Sequence, residues 1–208
     1  YEDKTMHLFS MLAENRRKEK SEEHISFLEK TYELTIDFSE FEGQAVFLEG
    51  TSSMVFDRVN KIAYIGLSPR TNESLARMWS EKYDYEIVFF KTESHEGQPI
   101  YHTDVIMYIG TEITGISIDS IKQEDQERVR EKLNLSHAIL EITQEQIIDF
   151  CGNCLEVKDE NNQLILVMST RAFNAYSDEQ KTVLQEHYYK IIHSDITYIE
   201  QYGGGSAR

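Results

Sequence analysis

The chain has 208 residues, 40 % hydrophobic and 28 % charged, with a net charge of −16; this is the composition of an ordinary globular protein large enough to bury a core. The acidic balance argues against nucleic acid and against anionic membrane surfaces, both of which call for clustered lysine and arginine. No apolar run approaches the roughly 18 residues of a membrane span, and two cysteines at 151 and 154 make no disulfide framework, so a cytoplasmic setting is expected.

In chain order, Thr5 to Met11 reads as a short apolar strand. Glu14 to Tyr32 is densely charged, with Ile25, Phe27 and Leu28 as an apolar stripe, which predicts one surface helix. Glu33 to Phe38 alternates as a strand. This opening looks like a structural unit without its first strand.

The next unit is cleaner. Ala45 to Leu48 is apolar. Ser53 to Phe56 and Ile62 to Leu67 flank a turn at Asp57 to Asn60 and predict a hairpin. Ser68-Pro69-Arg70-Thr71-Asn72-Glu73 combines cap residues with a proline and predicts a helix start. That helix runs on through Leu75, Met78 and Trp79, and Glu86 to Phe90 closes the unit. A second unit pairs Val105 to Ile109 with Thr114 to Ile118, follows with a helix over Lys122 to Leu133, and returns at Ala138 to Ile142. A third pairs Leu155-Glu156-Val157 with Leu164 to Met168 across a turn at Asp159 to Asn162. Its helix lies within Ser177 to Tyr189, with Ser177 and Gln180 at capping-box spacing.

Three stretches thus read strand, strand, helix, strand: Gln44 to Phe90, Tyr101 to Ile142, and Cys151 to about Ile196. A repeat of roughly fifty residues implies units that bury their apolar faces against one another. Each first strand opens on a polar or small cluster: Leu48-Glu49-Gly50, Tyr101-His102-Thr103-Asp104, and Cys151-Gly152-Asn153-Cys154. Tyr202-Gly203-Gly204-Gly205 reads as a further such opening. Units packed around a common axis bring Glu49, His102, Asp104 and Asn153 together.

Taken singly, these residues have ordinary readings as well. A lone histidine near an apolar strand is usually a satisfied core or surface residue. His102 and Asp104 are two apart, so on a strand both face the same way and the carboxylate sits beside the imidazole. Glu49, at the end of an apolar run, is either an exposed strand end or a partly buried carboxylate that needs partners. With the repeat it takes a place equivalent to that of His102, and the two form an acid–histidine pair. Arg70 suits bidentate binding of a carboxylate but reads on its own as a solvated helix-start arginine. Arg16, in Asn15-Arg16-Arg17-Lys18-Glu19, reads as part of a solvated charged face. The C-x-x-C at Cys151 precedes a strand rather than a helix and lacks a second ligand pair, so two small buried cysteines are expected rather than a redox dithiol or zinc site. Gly203-Gly204-Gly205 lacks the lysine of a phosphate loop. It permits a close backbone approach, or it is a disordered tail.

The ordered set Phe47-Leu48-Glu49-Gly50, Ile65 through Asn72, His102-Thr103-Asp104, Cys151-Gly152-Asn153-Cys154 and Gly203 through Arg208 resembles the guanidino-group modifying enzymes. These are the arginine deiminases, dimethylarginine dimethylaminohydrolases and amidinotransferases. The resemblance covers essentially the whole chain and is greatest to the bacterial, amidinotransferase-like, citrulline-utilising hydrolases. It implies an α/β fold of the pentein type, a propeller of ββαβ units around a pseudo-symmetry axis. Residues 1–208 would form one catalytic domain holding about three and a half of five units. The residue matching the family's catalytic histidine is His102, and Glu49 matches the acid that supports it. Asp104 matches the carboxylate that holds the guanidinium. Arg70 and Arg16 match arginines that hold the substrate's α-carboxylate. The family's nucleophilic cysteine follows its glycine segment, and an acidic residue precedes the strand at Thr5. Both would fall outside this chain, which is then expected to be truncated at both ends, unable to close its ring or to complete covalent catalysis.

The expected activity is hydrolysis of a guanidino or ureido C–N bond in an arginine- or citrulline-like amino acid, through a covalent cysteine adduct, without cofactor or metal. The partner is that small-molecule substrate, with neither nucleic acid nor membrane, and oligomerisation is left open. Two other readings stand beside it: an amidinotransferase, in which an amine intercepts the adduct, and a non-catalytic amino-acid-binding module.

Overall fold

The computed structural model describes residues 4–208. Its strands fall into four small sheets. Strand β1 (Thr5–Leu8) pairs in parallel with β2 (Glu33–Asp37). The remaining nine strands form three sheets of one pattern. In the first, β3 (Val55–Asp57) is antiparallel to β4 (Ile62–Leu67), which is parallel to β5 (Glu86–Lys91). Strands β6 (Met107–Ile109), β7 (Ile113–Ile116) and β8 (Ala138–Glu141) repeat it, as do β9 (Leu155–Lys158), β10 (Leu164–Ser169) and β11 (Lys190–Ser194). A parallel pair needs a crossover. Helix α3 (Glu73–Tyr83) supplies it in the first of these sheets and α4 (Gln123–Asn134) in the second. In the third it is made by α6 (Thr170–Ala175) and α7 (Asp178–His187). The β1–β2 pair is crossed by α1 (Glu14–Arg17) and α2 (Glu22–Leu28), so it matches the second and third strands of the later units.

Local chemistry explains the turns. In the β3–β4 hairpin, Asp57 Oδ1 accepts the Asn60 amide at 2.9 Å. In the β9–β10 hairpin, Asp159 Oδ1 accepts the amides of Asn161 and Gln163 at 2.9 and 2.8 Å. Side-chain capping of this kind is why aspartate opens turns. Asn72, Thr143 and Ser177 cap α3, α5 (Gln144–Ile148) and α7, the last two with full capping boxes.

The core lies between neighbouring sheets, which strand alternation makes possible. Ala63 and Ile65 of β4 pack with Phe38, Leu48 and Trp79, while Ile62 and Tyr64 of the same strand pack with Val88, Met107 and Ile116. On β6, Met107 joins that second cluster and Tyr108 joins a third with Leu166, Tyr176 and Leu184. The leading strands β3, β6 and β9 face one another in order. Their N-terminal ends therefore gather at one place.

Several expectations need correction. The strand from Thr5 ends at Leu8 rather than Met11. The single helix over Glu14 to Tyr32 is two short helices, because Ser21 caps a fresh start, accepting the His24 amide. Residues Thr103–Val105 form a 3₁₀ turn before β6, so His102 and Asp104 do not share a strand face. Tyr202 and Gly203 do not open a strand; they end α8 (Thr197–Gly203), which Gly204 caps at φ 71°. Helices α5, α6 and α8 were not foreseen. Among the described residues, no helix is long and apolar enough to cross a membrane.

Candidate active site

Glu49 lies in the segment that enters β3. Leu48 is bridged to Thr71, and Ser53 Oγ accepts the Glu49 amide at 3.2 Å. Gly50 then turns the chain at φ 64°, a left-handed conformation that glycine adopts without penalty. The Glu49 side chain is only 1 % exposed. A carboxylate so buried needs partners, and it has three. Oε1 accepts the Leu12 amide at 2.9 Å, Oε2 stands 2.5 Å from His102 Nε2, and Arg70 Nη1 lies 3.5 Å from Oε2. Burial alone would raise this carboxyl. The hydrogen bonds from His102 and Leu12, with the charges of His102 and Arg70, outweigh burial and hold it below its ordinary value.

His102 is fixed by its neighbours rather than by a sheet. The Ile100 amide is tied to Thr92 Oγ1 at 2.9 Å, and the Tyr101 carbonyl accepts from Ser68 Oγ at 2.7 Å. Thr103 Oγ1 donates to the Ser53 carbonyl at 2.5 Å and accepts the Gly66 amide at 2.9 Å. The Asp104 amide donates to the Ser52 carbonyl at 3.1 Å. The 102–104 turn is thus docked on Ser52 and Ser53, with His102 against Glu49.

Asp104 is also buried, and the third unit closes around it. Asn153 Nδ2 donates to the Asp104 carbonyl at 3.3 Å. This approach depends on Gly152, where a Cβ would collide with the Val105 carbonyl. Burial raises the Asp104 carboxyl above its ordinary value; the charges of Arg208 and His102 and a hydrogen bond from Ser52 reduce the rise without cancelling it. Asn153 Oδ1 accepts the Ser206 and Arg208 amides at 3.0 and 3.1 Å, folding the segment after α8 back over the site. The Arg208 guanidinium reaches the Thr51 carbonyl at 3.3 Å. Burial lowers its pKa, against the opposing pull of Asp104.

His102, Asp104, Arg70, Asn153 and Arg208 line a cavity of about 650 Å³, and Glu49 supports it from behind His102 and Arg70. Gly203 to Gly205 also face it, and Val105, Ile147, Ile148 and Phe150 give it an apolar flank. Glu49 contacts both His102 and Arg70, and those two line the cavity with Asp104. Arg16 touches the rim only. It is exposed and pairs with Glu19 at 3.1 Å, which holds its pKa up. Three contributors were missed by sequence reasoning. Tyr101 and Arg208 lie within segments already singled out, and that membership was the available signal. The Leu12 amide is backbone and leaves no signature. Among the described residues, no three of His, Cys, Asp and Glu cluster as metal ligands.

The two cysteines stand apart from this chemistry. Cys151 Sγ approaches the Ala172 carbonyl and Cys154 Sγ the Tyr176 hydroxyl, at 3.5 and 3.8 Å. Burial raises the Cys151 thiol well above its ordinary range and pushes Cys154 up to about 12. Neither is a ready thiolate.

The family model for N,N dimethylarginine dimethylhydrolase, eukaryotic, matches residues 1–208. No curated protein sequence matches the chain. Among solved structures, a substrate-bound mutant of the N-terminal domain of ArgZ, an arginine dihydrolase from the ornithine-ammonia cycle in cyanobacteria, aligns with TM-score 0.76 and 16 % identity over 98 % of this chain and 68 % of that one. The ternary complex of AgrE with ornithine and NAD+ aligns with TM-score 0.76 and 15 % identity, over 98 % of this chain but 27 % of that one. The adduct of a dimethylarginine dimethylaminohydrolase variant with S-methyl-L-thiocitrulline aligns with TM-score 0.62 and 17 % identity over 97 % and 68 %. The chain shares the mixed α/β fold of these proteins.

Proposed function

This chain belongs to the N,N dimethylarginine dimethylhydrolase family, within the guanidino-group modifying superfamily, and from that premise we propose that it hydrolyses a guanidino or ureido C–N bond of an arginine-like amino acid. The observation that carries this reading is the 2.5 Å contact of Glu49 with His102, which lines a cavity together with Asp104 and Arg70. An acid–imidazole pair is equipped for proton transfer. The carboxylate of Asp104 opposes a guanidinium, and the guanidinium of Arg70 matches an α-carboxylate.

In the proposed reaction a cysteine thiolate adds to the central carbon, forming a C–S bond. The C–N bond then breaks, and the amine leaves with a proton delivered by His102. Water attacks the adduct, its proton passes to His102, and the C–S bond breaks to restore the thiolate. Glu49 orients the imidazole and balances the imidazolium charge. The buried Cys151 and Cys154 are not the thiolate of this scheme, which requires a thiol that reaches the cavity beside His102 and the glycine segment. The same reading takes the sheets as about three and a half units of a five-unit propeller, one catalytic domain with the cavity on its axis. The facing order of β3, β6 and β9 supports it.

A second reading, a non-catalytic amino-acid-binding module, is favoured by one observation: binding groups are assembled here while both cysteines are buried and neither lines the cavity. Turnover separates the two. The full-length protein is given arginine, dimethylarginine, citrulline and agmatine, and released ammonia or amine is measured. The hydrolase reading expects release from at least one, lowered about 10²- to 10⁴-fold in His102→Ala. Equal release by wild type and variant sinks it, and binding of arginine without any release favours the module.

A further inference from the structure

This inference rests on the reading of the cavity as an amino-acid site whose α-carboxylate is held by Arg70. The Arg70 side chain is 31 % exposed, and its one ion-pair contact among the described residues, at 3.5 Å, is to a Glu49 oxygen already 2.5 Å from His102. Held only so, the guanidinium would fold onto Glu49 or turn out to water, and in neither pose would it face a ligand. Tyr101 supplies the missing constraint. The Arg70 Cζ lies 5.1 Å from the centre of the Tyr101 ring, within the range of cation–π attraction.

The ring is itself fixed at both ends. The Tyr101 carbonyl accepts from Ser68 Oγ at 2.7 Å, and the same hydroxyl accepts the Arg70 amide at 3.1 Å. The phenol donates to the Gly204 carbonyl at 3.3 Å. On its inner side the ring lies 4.8 Å from the His102 imidazole, centre to centre. One aromatic side chain therefore joins the arginine, the histidine and the glycine segment that line the cavity. It is 41 % exposed, so it belongs to the rim and replacing it does not empty a core.

We infer that Tyr101 is a positioning residue for carboxylate recognition: its ring carries the Arg70 guanidinium over the cavity mouth and ties that arginine to Gly204. The Tyr101→Leu change removes platform and tie, whereas Tyr101→Phe removes only the tie. Arginine and agmatine share a guanidinium, and only arginine has the carboxylate. Calorimetric binding of both to the full-length protein reads the effect.

Wild type is expected to prefer arginine. The arginine-to-agmatine affinity ratio falls about three- to tenfold in Tyr101→Leu and survives largely intact in Tyr101→Phe. A merely structural role would weaken both ligands alike or lower the melting temperature without changing the ratio. The inference is overturned if wild type shows no preference, if Tyr101→Leu leaves the ratio unchanged, or if Tyr101→Phe loses as much as Tyr101→Leu. Because the ratio comes from binding, a protein that prefers arginine, loses that preference in Tyr101→Leu and releases no amine overturns the hydrolase reading alone.

Discussion

Glu49 and His102, separated by 53 positions, meet at 2.5 Å through Oε2 and Nε2. With an ionised carboxylate as acceptor, a neutral imidazole must carry its proton on Nε2 and keep its lone pair on Nδ1. In the proposed hydrolase, that leaves Nδ1 to act as base. Glu49→Gln keeps the shape but removes the charge that selects the tautomer. Turnover is expected to fall about 10²- to 10⁴-fold, with substrate affinity changed far less. A variant that retains wild-type turnover refutes the pairing as a catalytic device.

The same contact predicts a pH dependence of stability. The folded protein holds Glu49 below its ordinary pKa, so it binds that proton less tightly than the unfolded chain does. The stabilisation is present above the ordinary carboxylate range and is lost as pH falls through the lowered folded value. The melting-temperature advantage of wild type over Glu49→Gln should therefore shrink steadily with acidification across that window. An advantage that grows on acidification contradicts the assignment.

Asp104 carries the opposite sign. Burial raises its carboxyl, so its contribution to stability is greatest below the ordinary carboxylate pKa and declines as pH rises through the raised one. A bound guanidinium favours the ionised form and expels the proton. Arginine binding should release protons just above the ordinary carboxylate range and tighten as pH rises there, while the neutral ureido group of citrulline releases fewer. Calorimetry in buffers of different ionisation heat measures this. Equal release by the two ligands, or none, removes Asp104 as the guanidinium partner.

Much of the fold was legible because the repeat carries its own punctuation. Asp57 and Asp159 mark hairpins, Asn72 and Ser177 mark helix starts, and two-faced apolar strands such as Ile62–Leu67 mark the sheets between cores. Glu49, His102 and Asp104 were legible as equivalent openings of successive units. What failed did so for physical reasons. Thr103 tightens the chain into a turn by bonding Ser53 and Gly66, both far away in sequence, so strand alternation did not place Asp104. The triple glycine looked like a strand opening or a loose tail because its order comes from Asn153, about fifty positions earlier. Helix α5 is only five residues long, with Ile147 against two cores and Ile148 on the cavity flank, too short to show a helical period.

The buried thiols yield a chemical prediction. Burial raises both Cys151 and Cys154, so little thiolate is present near neutral pH and reagents cannot reach it. Alkylation of either in the native protein should run far slower than in denaturant. Replacing both by alanine should cost about 0.5–3 kcal/mol of stability and leave turnover within about twofold. A folded double variant without activity would place the nucleophile at one of them, against the proposed scheme.

Asn153 is the acceptor on which the glycine segment depends. It is 5 % exposed, and its Oδ1 takes the amides of Ser206 and Arg208. Asn153→Ala takes the acceptor from both part-buried donors beside the cavity, at about 0.5–1.5 kcal/mol for each hydrogen bond lost. The segment avoids that cost by lifting away, because Gly203 to Gly205 impose little conformational resistance. Hydrogen exchange at the Ser206 and Arg208 amides should then quicken about tenfold or more, each 1.4 kcal/mol being a factor of ten. Exchange in β3 to β8 should stay as in wild type. Substrate affinity should weaken with it, since the lifted segment carries Gly204 away from the Tyr101 phenol and removes one wall of the cavity. Unchanged protection at those two amides would show that Asn153 does not hold the segment, and the site would then be assembled without it.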